Sequence, residues 1–324
     1  MSEGSRARAG YRAPWWLPGA HLQTVYPYFI LRQRPPPYRR ERIETMDGDF
    51  VDFDWLDGPP DAPLLVLFHG LEGCSRSHYA GALMHAARER GWRAVVPHFR
   101  GCSGEPNRLA RAYHSGDADE IDWMLKTAHA RAGGRMFAAG VSLGGNALLK
   151  WLAREQQHAC ALIQAASAIS APVDLMVAGD RLGRGFNRFY GLHFLRTLKR
   201  KSLQKLERFP GLFQRKRVNR AWTLRGFDDA FTAPVHGFRD VDDYWTRASS
   251  KPELGRIRLP TLIVHARNDP FLPAHHLPMP GALAEAVEYD LTEGGGHVGF
   301  VSGAFPGNLD WLPRRVLDFF AAHP

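Results

Sequence analysis

A chain of 324 residues, 44% hydrophobic and 23% charged, has an ordinary globular composition, with room for one large domain carrying an insertion or for two small ones. Three cysteines, Cys74, Cys102 and Cys160, are an odd and sparse set that excludes a disulfide framework and suits a reducing compartment. The net charge of +9 is uneven: Arg181 to Arg225 holds fourteen Lys or Arg against the single acid Glu207, a net +13, so the remainder stands near −4.

Met1 to Pro18 has early arginines but no apolar run of about seven residues, so no secretory signal is expected. No stretch approaches the roughly 18 apolar residues of a membrane span. The expectation is a soluble cytoplasmic protein. Pro35-Pro36-Pro37 breaks the chain before the first strand pattern. Phe50 to Trp55 alternates with period two and reads as a half-buried strand near a sheet edge. Leu64 to Phe68 is continuously apolar, as in a strand buried on both faces. His78 to Glu89 reads as a helix stopped by Gly91, and Arg93 to Val96 as the next strand. A helix over Glu120 to Ala130, a strand over Met136 to Val141, a helix over Asn146 to Arg154 and an apolar run from Cys160 to Ala166 follow. This alternation predicts a mostly parallel sheet flanked by helices, an α/β fold.

The alternation stops between about Ser170 and Arg258. Leu192, Leu195, Leu198, Leu203 and Leu206 fall near one helical face there, with Lys199, Arg200, Lys201 and Lys205 nearby. Strands resume at Thr261 to Val264 and Val287 to Tyr289, and a helix around Trp311 to Ala321 closes the chain. The expected division is a core from 1 to 169, a basic helical cap from 170 to 258 over the strand C-termini, and the rest of the core from 259 to 324.

Gly140-Val141-Ser142-Leu143-Gly144 fits Gly-x-Ser-x-Gly. The pattern alone is weak, because a chain of this size matches it by chance on the order of one time in ten. Its setting carries the weight: a strand precedes the serine and a helix-forming run follows, the strand–turn–helix of a nucleophile elbow in the α/β-hydrolase fold. A serine hydroxyl needs a base, and the base an orienting acid, in the chain order Ser, acid, His. Asp269 follows the strand ending at Val264, and His297, in Gly294-Gly295-Gly296-His297, follows the strand ending near Leu291. Both loops open at the sheet edge of Ser142. Asp228 and Asp229 are fallback acids inside the cap segment. Of fifteen histidines, most are packing or surface residues. His69-Gly70-Leu71 follows the strand ending at Phe68, so the backbone N–H groups of Leu71 and Leu143 are the candidate oxyanion donors. His236-Gly237 follows no buried strand and reads as structural.

The chain resembles the YheT-like group of α/β hydrolases, which includes bacterial esterases and eukaryotic lipases. The resemblance rests on Pro14-Trp15-Trp16, His21-Leu22-Gln23-Thr24, His69 to Gly73, Phe99 to Asn107, Tyr113 to Gly116, Gly140 to Asn146, Asn268-Asp269-Pro270 and Gly296 to Phe300. It implies a Ser142–Asp269–His297 triad and hydrolysis of carboxylic esters with short to medium acyl chains. Some relatives act on lipids or transfer acyl groups, and eukaryotic ones often begin with a membrane anchor, not expected here. His21, Arg100, Glu105 and His114 are expected to pack and hydrogen-bond beneath the site.

The reading is therefore a serine carboxylesterase acting on a small-molecule ester. An acyltransferase or thioesterase with the same triad, or a slow-turnover binding protein docking on anionic surfaces through the basic cap, are the alternatives. Serine at position 142 argues against dehalogenase or epoxide-hydrolase chemistry, which uses Asp there in this fold. No nucleic acid is expected, since the basic segment lacks a recognisable motif; peripheral contact with an anionic membrane stays open. No metal site is expected, because His275 and His276 are adjacent and would not share a face. No cofactor is expected, because no nucleotide loop follows the first strand.

Overall fold

Continuous apolar runs become the centre of one eight-stranded sheet in the computed structural model, which describes residues 10–31 and 33–324. In chain order the strands are β1 Arg39–Glu44, β2 Phe50–Leu56, β3 Leu64–Phe68, β4 Arg93–Pro97, β5 Met136–Val141, β6 Ala165–Ile169, β7 Thr261–Ala266 and β8 Val287–Thr292. They lie side by side as β1-β2-β4-β3-β5-β6-β7-β8, with β1 and β2 antiparallel to their neighbours and all later pairs parallel. Side chains of one strand leave the sheet on alternate faces. Leu64, Val66 and Phe68 therefore pack with Ile121, Leu148 and Trp151, while Leu65 and Leu67 pack on the opposite face with Leu83, Phe319 and Phe320.

The core helices are α1 Ala20–Phe29, α2 His78–Glu89, α3 Ala118–Ala132, α4 Leu143–Glu155 and, at the end, α11 Trp311–Ala321. Between β6 and β7 the chain forms α5 Leu175–Leu182, α6 Arg188–Arg208, α7 Arg215–Arg220, α8 Leu224–Phe227, a π-helical turn Asp228–Thr232, α9 Ala233–Val235 and α10 Val241–Ala248. These helices have a core of their own, in which Leu182, Leu195, Phe227, Phe231 and Trp245 meet Phe271 of the main body. Gly179 lets α5 touch α10: a Cβ there would fall 2.3 Å from the Trp245 ring. Leu195 is buried and Leu198, Leu203 and Leu206 pack against this core, whereas Leu192 is exposed.

The structure departs from the sequence reading at three elements. Phe50 to Trp55 lies near the sheet edge, as expected, but is not half-buried: all of β2, second from the edge beside β1, is buried. β1 escapes hydrophobic patterning because only Ile43 of Arg39-Arg40-Glu41-Arg42-Ile43-Glu44 is buried. Its arginines instead sit in register with the acids of β2, Arg40 opposite Asp54 and Arg42 opposite Asp52, each making a two-pronged ion pair at 2.7–2.9 Å. Burial raises the pKa of Asp54, but hydrogen bonds from Arg40, His98 and Ser75 outweigh it and hold the carboxylate ionised. Second, the strand expected in the Cys160–Ala166 run lies at Ala165–Ile169, after a 3₁₀ turn at Gln156–Ala161 that leaves Cys160 exposed. Its small residues carry little strand propensity, so the apolar signal points upstream of it. Third, α1 has no counterpart in the sequence reading. Of the segment Met1 to Pro18 read for a signal, residues 1–9 lie outside the described residues.

Candidate active site

Ser142 sits in the turn between β5 and α4 with φ +52° and ψ −120°, a strained conformation for a residue with a side chain. The turn is held by close backbone approach. A Cβ on Gly144 would lie 2.5 Å from the carbonyl oxygens of both Phe68 and His69, and one on Gly140 would lie 2.5 Å from the Gly144 oxygen. Glycine at these two places is thus a steric requirement of the elbow. α4 begins at Leu143, three residues earlier than the sequence pattern, because the serine itself occupies the position before its first turn.

The loops after β7 and β8 bring Asp269 and His297 to this serine. His297 Nε2 lies 3.0 Å from Ser142 Oγ, and His297 Nδ1 lies 2.9 Å from Asp269 Oδ2. The Asp269 carboxylate is fully buried, and its other oxygen accepts the Phe271 N–H at 2.8 Å. The Phe271 ring covers the imidazole, centroids 4.1 Å apart. His265 Nε2 approaches Asp269 Oδ2 to 3.4 Å without a hydrogen bond, and burial lowers its pKa to about 4, so it is neutral beside the carboxylate. Neither fallback acid bonds His297, although Asp228 lines the cavity at Ser142. Asp228 accepts from Thr232 Oγ1 at 2.6 Å and Trp245 Nε1 at 2.8 Å, and Asp229 pairs with Arg217.

Leu143 is the first residue of α4, so its N–H has no acceptor within the helix. Leu71 follows β3 and lines the same cavity as Ser142 and Leu143. The N–H groups around it are engaged, Gly70 donating to Tyr79 Oη at 2.8 Å and Glu72 to Tyr113 Oη at 2.9 Å, while Leu71 N–H has no acceptor among the described residues. Beneath this loop, buried His69 accepts the Phe99 N–H on Nε2 and therefore donates from Nδ1 to the Gly70 oxygen at 2.8 Å. Burial lowers its pKa to about 3, so this neutral tautomer persists.

Sequence reasoning missed the residues that tie the acid and base loops together. Gln23 Oε1, on α1, accepts from Asn268 Nδ2 at 2.9 Å and from Gly295 N at 2.8 Å. Asn268 Oδ1 accepts from Gly296 N at 3.0 Å, and Thr24 Oγ1 accepts from His297 N at 2.9 Å. Their signal was present in the His21-Leu22-Gln23-Thr24 segment, two polar residues that a hydrophobic pattern assigns to solvent. Asn146 has a similar task in the elbow helix: its amide joins Ser115 O, Ala248 O and Ser250 N at 2.8–3.1 Å, locking α4 to the end of α10.

Of the other residues singled out from the sequence, Arg100, Glu105 and His114 line the cavity that opens at Ser142, His21 does not, and each has partners other than the serine. His21 bonds Tyr190 Oη at 3.1 Å; Arg100 is buried against Asp49 and Glu120; Glu105 is exposed and pairs with Arg42; and His114 packs on the His236 ring. A cavity of about 540 Å³ opens at Ser142, walled by Leu71, Leu175, Leu182, Phe194 and Phe231, with the Lys201–Glu72 ion pair (2.8 Å) on its polar side. Among the described residues no group of three or more His, Cys, Asp or Glu is placed to hold a metal ion, and no helix is long and apolar enough to cross a membrane.

The profile of the alpha/beta hydrolase fold matches residues 63–304. The chain is 44% identical to the Escherichia coli (strain K12) protein named "Putative esterase YheT", over 94% of this chain and 90% of that one. It is 31% identical to phospholipase ABHD3 of Mus musculus, over 95% of this chain and 77% of the relative. The solved Pyrococcus furiosus esterase Pf2001 superposes with a TM-score of 0.57 at 15% identity, covering 88% and 92% of the two chains, which is a likeness of fold.

Proposed function

The chain belongs to the α/β-hydrolase family and its YheT-like group of esterase- and lipase-type hydrolases, and from that premise we propose that it cleaves short- to medium-chain carboxylic esters through an acyl-enzyme on Ser142. The observation that carries this reading is the unbroken line of hydrogen-bonding atoms from Ser142 Oγ through His297 to buried Asp269, opening on a cavity with one apolar wall and one charged side.

In the proposed mechanism Ser142 Oγ attacks the ester carbonyl as His297 Nε2 takes its proton. Asp269 keeps the imidazole in the tautomer with its proton on Nδ1 and stabilises the imidazolium. The N–H groups of Leu71 and Leu143 receive the oxyanion; losing one such donor costs about 10²–10³ in turnover. His297 then protonates the departing alcohol. Water then attacks the acyl carbon as His297 takes its proton, and His297 returns that proton to Ser142 Oγ as the acid departs. The helices of 170–258 act as the cap that supplies the acyl-binding wall. The three free cysteines agree with a cytoplasmic setting.

The test is hydrolysis of p-nitrophenyl esters from acetate to dodecanoate by wild type and Ser142→Ala. The expected result is an optimum at short to medium chains and a loss of about 10⁶ in turnover in the variant. Full activity in the variant, or none in wild type on any ester, would sink the reading.

A further inference from the structure

Helix α1 is inside out. Its buried residues are Gln23, Thr24 and Pro27, the first two holding the acid and base loops, while Leu22, Phe29 and the adjoining Ile30 are 53%, 65% and 60% exposed. The helix contains no Asp, Glu, Lys or Arg. The turn before α6 and the start of α6 extend the same surface: Phe186 and Phe189 are 55% and 66% exposed, and Leu192 is exposed beyond them. Ring contacts join the two elements, His21 to Phe186 at 4.5 Å and Tyr28 to His193 at 6.2 Å. An exposed apolar face of this continuity marks an interaction surface rather than scattered surface residues.

Its surroundings are basic. Arg181, Arg184, Arg188, Arg196 and Arg200 are all exposed, and none has a carboxylate partner among the described residues. No Asp or Glu occurs from Arg181 to Leu206. Positions 189, 192, 196 and 200 follow one helical face, so the apolar start of α6 runs into arginines, the last of which lies at the cavity.

We propose that this face, the outward side of α1 with the first turns of α6 and their arginines, docks on the surface of an anionic phospholipid bilayer. The apolar side chains enter the boundary between headgroups and acyl chains, and the arginines pair with lipid phosphates. Charge and apolarity together select this partner. A nucleic-acid duplex would engage the arginines but leave Leu22, Phe29 and Ile30 in water. A second copy of the chain would set unpaired arginines against their like across a two-fold axis. Because α1 also braces Asn268 and His297, docking holds the cavity mouth beside the lipid.

The full chain is sedimented with phosphatidylcholine vesicles lacking or containing about 30 mol% phosphatidylglycerol, at low and at high salt. The expected result is binding to the anionic vesicles alone, weakened by salt. Phe29→Ser/Phe189→Ser and Arg184→Glu/Arg188→Glu should each lower vesicle affinity about tenfold or more. Both should melt at the wild-type temperature and hydrolyse a soluble ester at the wild-type rate, since none of these residues touches the site. The proposal is overturned by absent or equal binding to the two vesicle types, or by binding that survives both variants. Preference for a DNA duplex at matched phosphate concentration, or a dimer dispersed by the phenylalanine changes, overturns it equally.

Discussion

Thr24 Oγ1 accepts the backbone N–H of His297 at 2.9 Å, so a helix near the start of the described residues fixes the imidazole-bearing loop 273 residues later. Gln23, one position earlier, does the same for Asn268 and Gly295. Gln23→Ala frees both loops, each of which then has a buried polar group without its partner. The expected outcome is a fall in kcat of about 10–100-fold, as when outer groups that orient a reacting residue are removed, with KM changed far less. The cost in stability should be about 1–3 kcal/mol. Steady-state kinetics with thermal melting checks both, and a kcat equal to wild type would show that the loops hold themselves.

Gly144→Ala puts a methyl group into the carbonyl oxygens of Phe68 and His69. Neither is the end of a flexible side chain, so β3 or the elbow must shift. A destabilisation of about 1–3 kcal/mol is expected, together with activity lower than unfolding alone explains. Urea titration alongside rates per folded molecule separates the two. A stable, fully active variant would mean that the elbow tolerates a different path.

Of the acids considered from the sequence, only Asp269 meets His297. Asp269→Asn should lower kcat by about 10⁴, because the amide favours the wrong imidazole tautomer. Asp228→Asn and Asp229→Asn should leave the ratio of rates within about threefold of wild type. A rate loss at Asp228 comparable to that at Asp269 would reassign the acid.

Asp228 supplies a pH signature of its own. Burial raises its pKa to about 6, against which the hydrogen bonds from Thr232 and Trp245 only partly work. The folded state therefore prefers the protonated carboxyl. The stability this contributes is fully present below the unfolded carboxylate pKa and is lost as pH rises through about 6. Asp228→Asn removes that dependence, so the melting-temperature difference, variant minus wild type, should grow between acid and neutral pH. A difference independent of pH would place the titration elsewhere.

Much of the central sheet was legible because its strands are buried on both faces and read as continuous apolar runs, Leu64 to Phe68 and Met136 to Val141 above all. The order Ser142, Asp269, His297 was legible because each follows such a run, and the structure brings the three within hydrogen-bonding distance. What patterning could not reach was built from polar pairing. β1 depends on Arg40 and Arg42 meeting Asp54 and Asp52 across the register, a contact that exists only after the sheet forms. α1 turns Gln23 and Thr24 inward and Leu22 and Phe29 outward, the reverse of the rule by which helices are recognised.

In the proposed mechanism Ser142 is the nucleophile and His297 activates it. The most direct measurement is labelling of the full chain with a fluorophosphonate, followed by mass mapping of the modified peptide and of its rate of formation. The predicted result is one adduct per chain on Ser142, absent in Ser142→Ala and slowed in His297→Ala by about 10³ or more. An adduct on another serine, or a rate unchanged in His297→Ala, would contradict it.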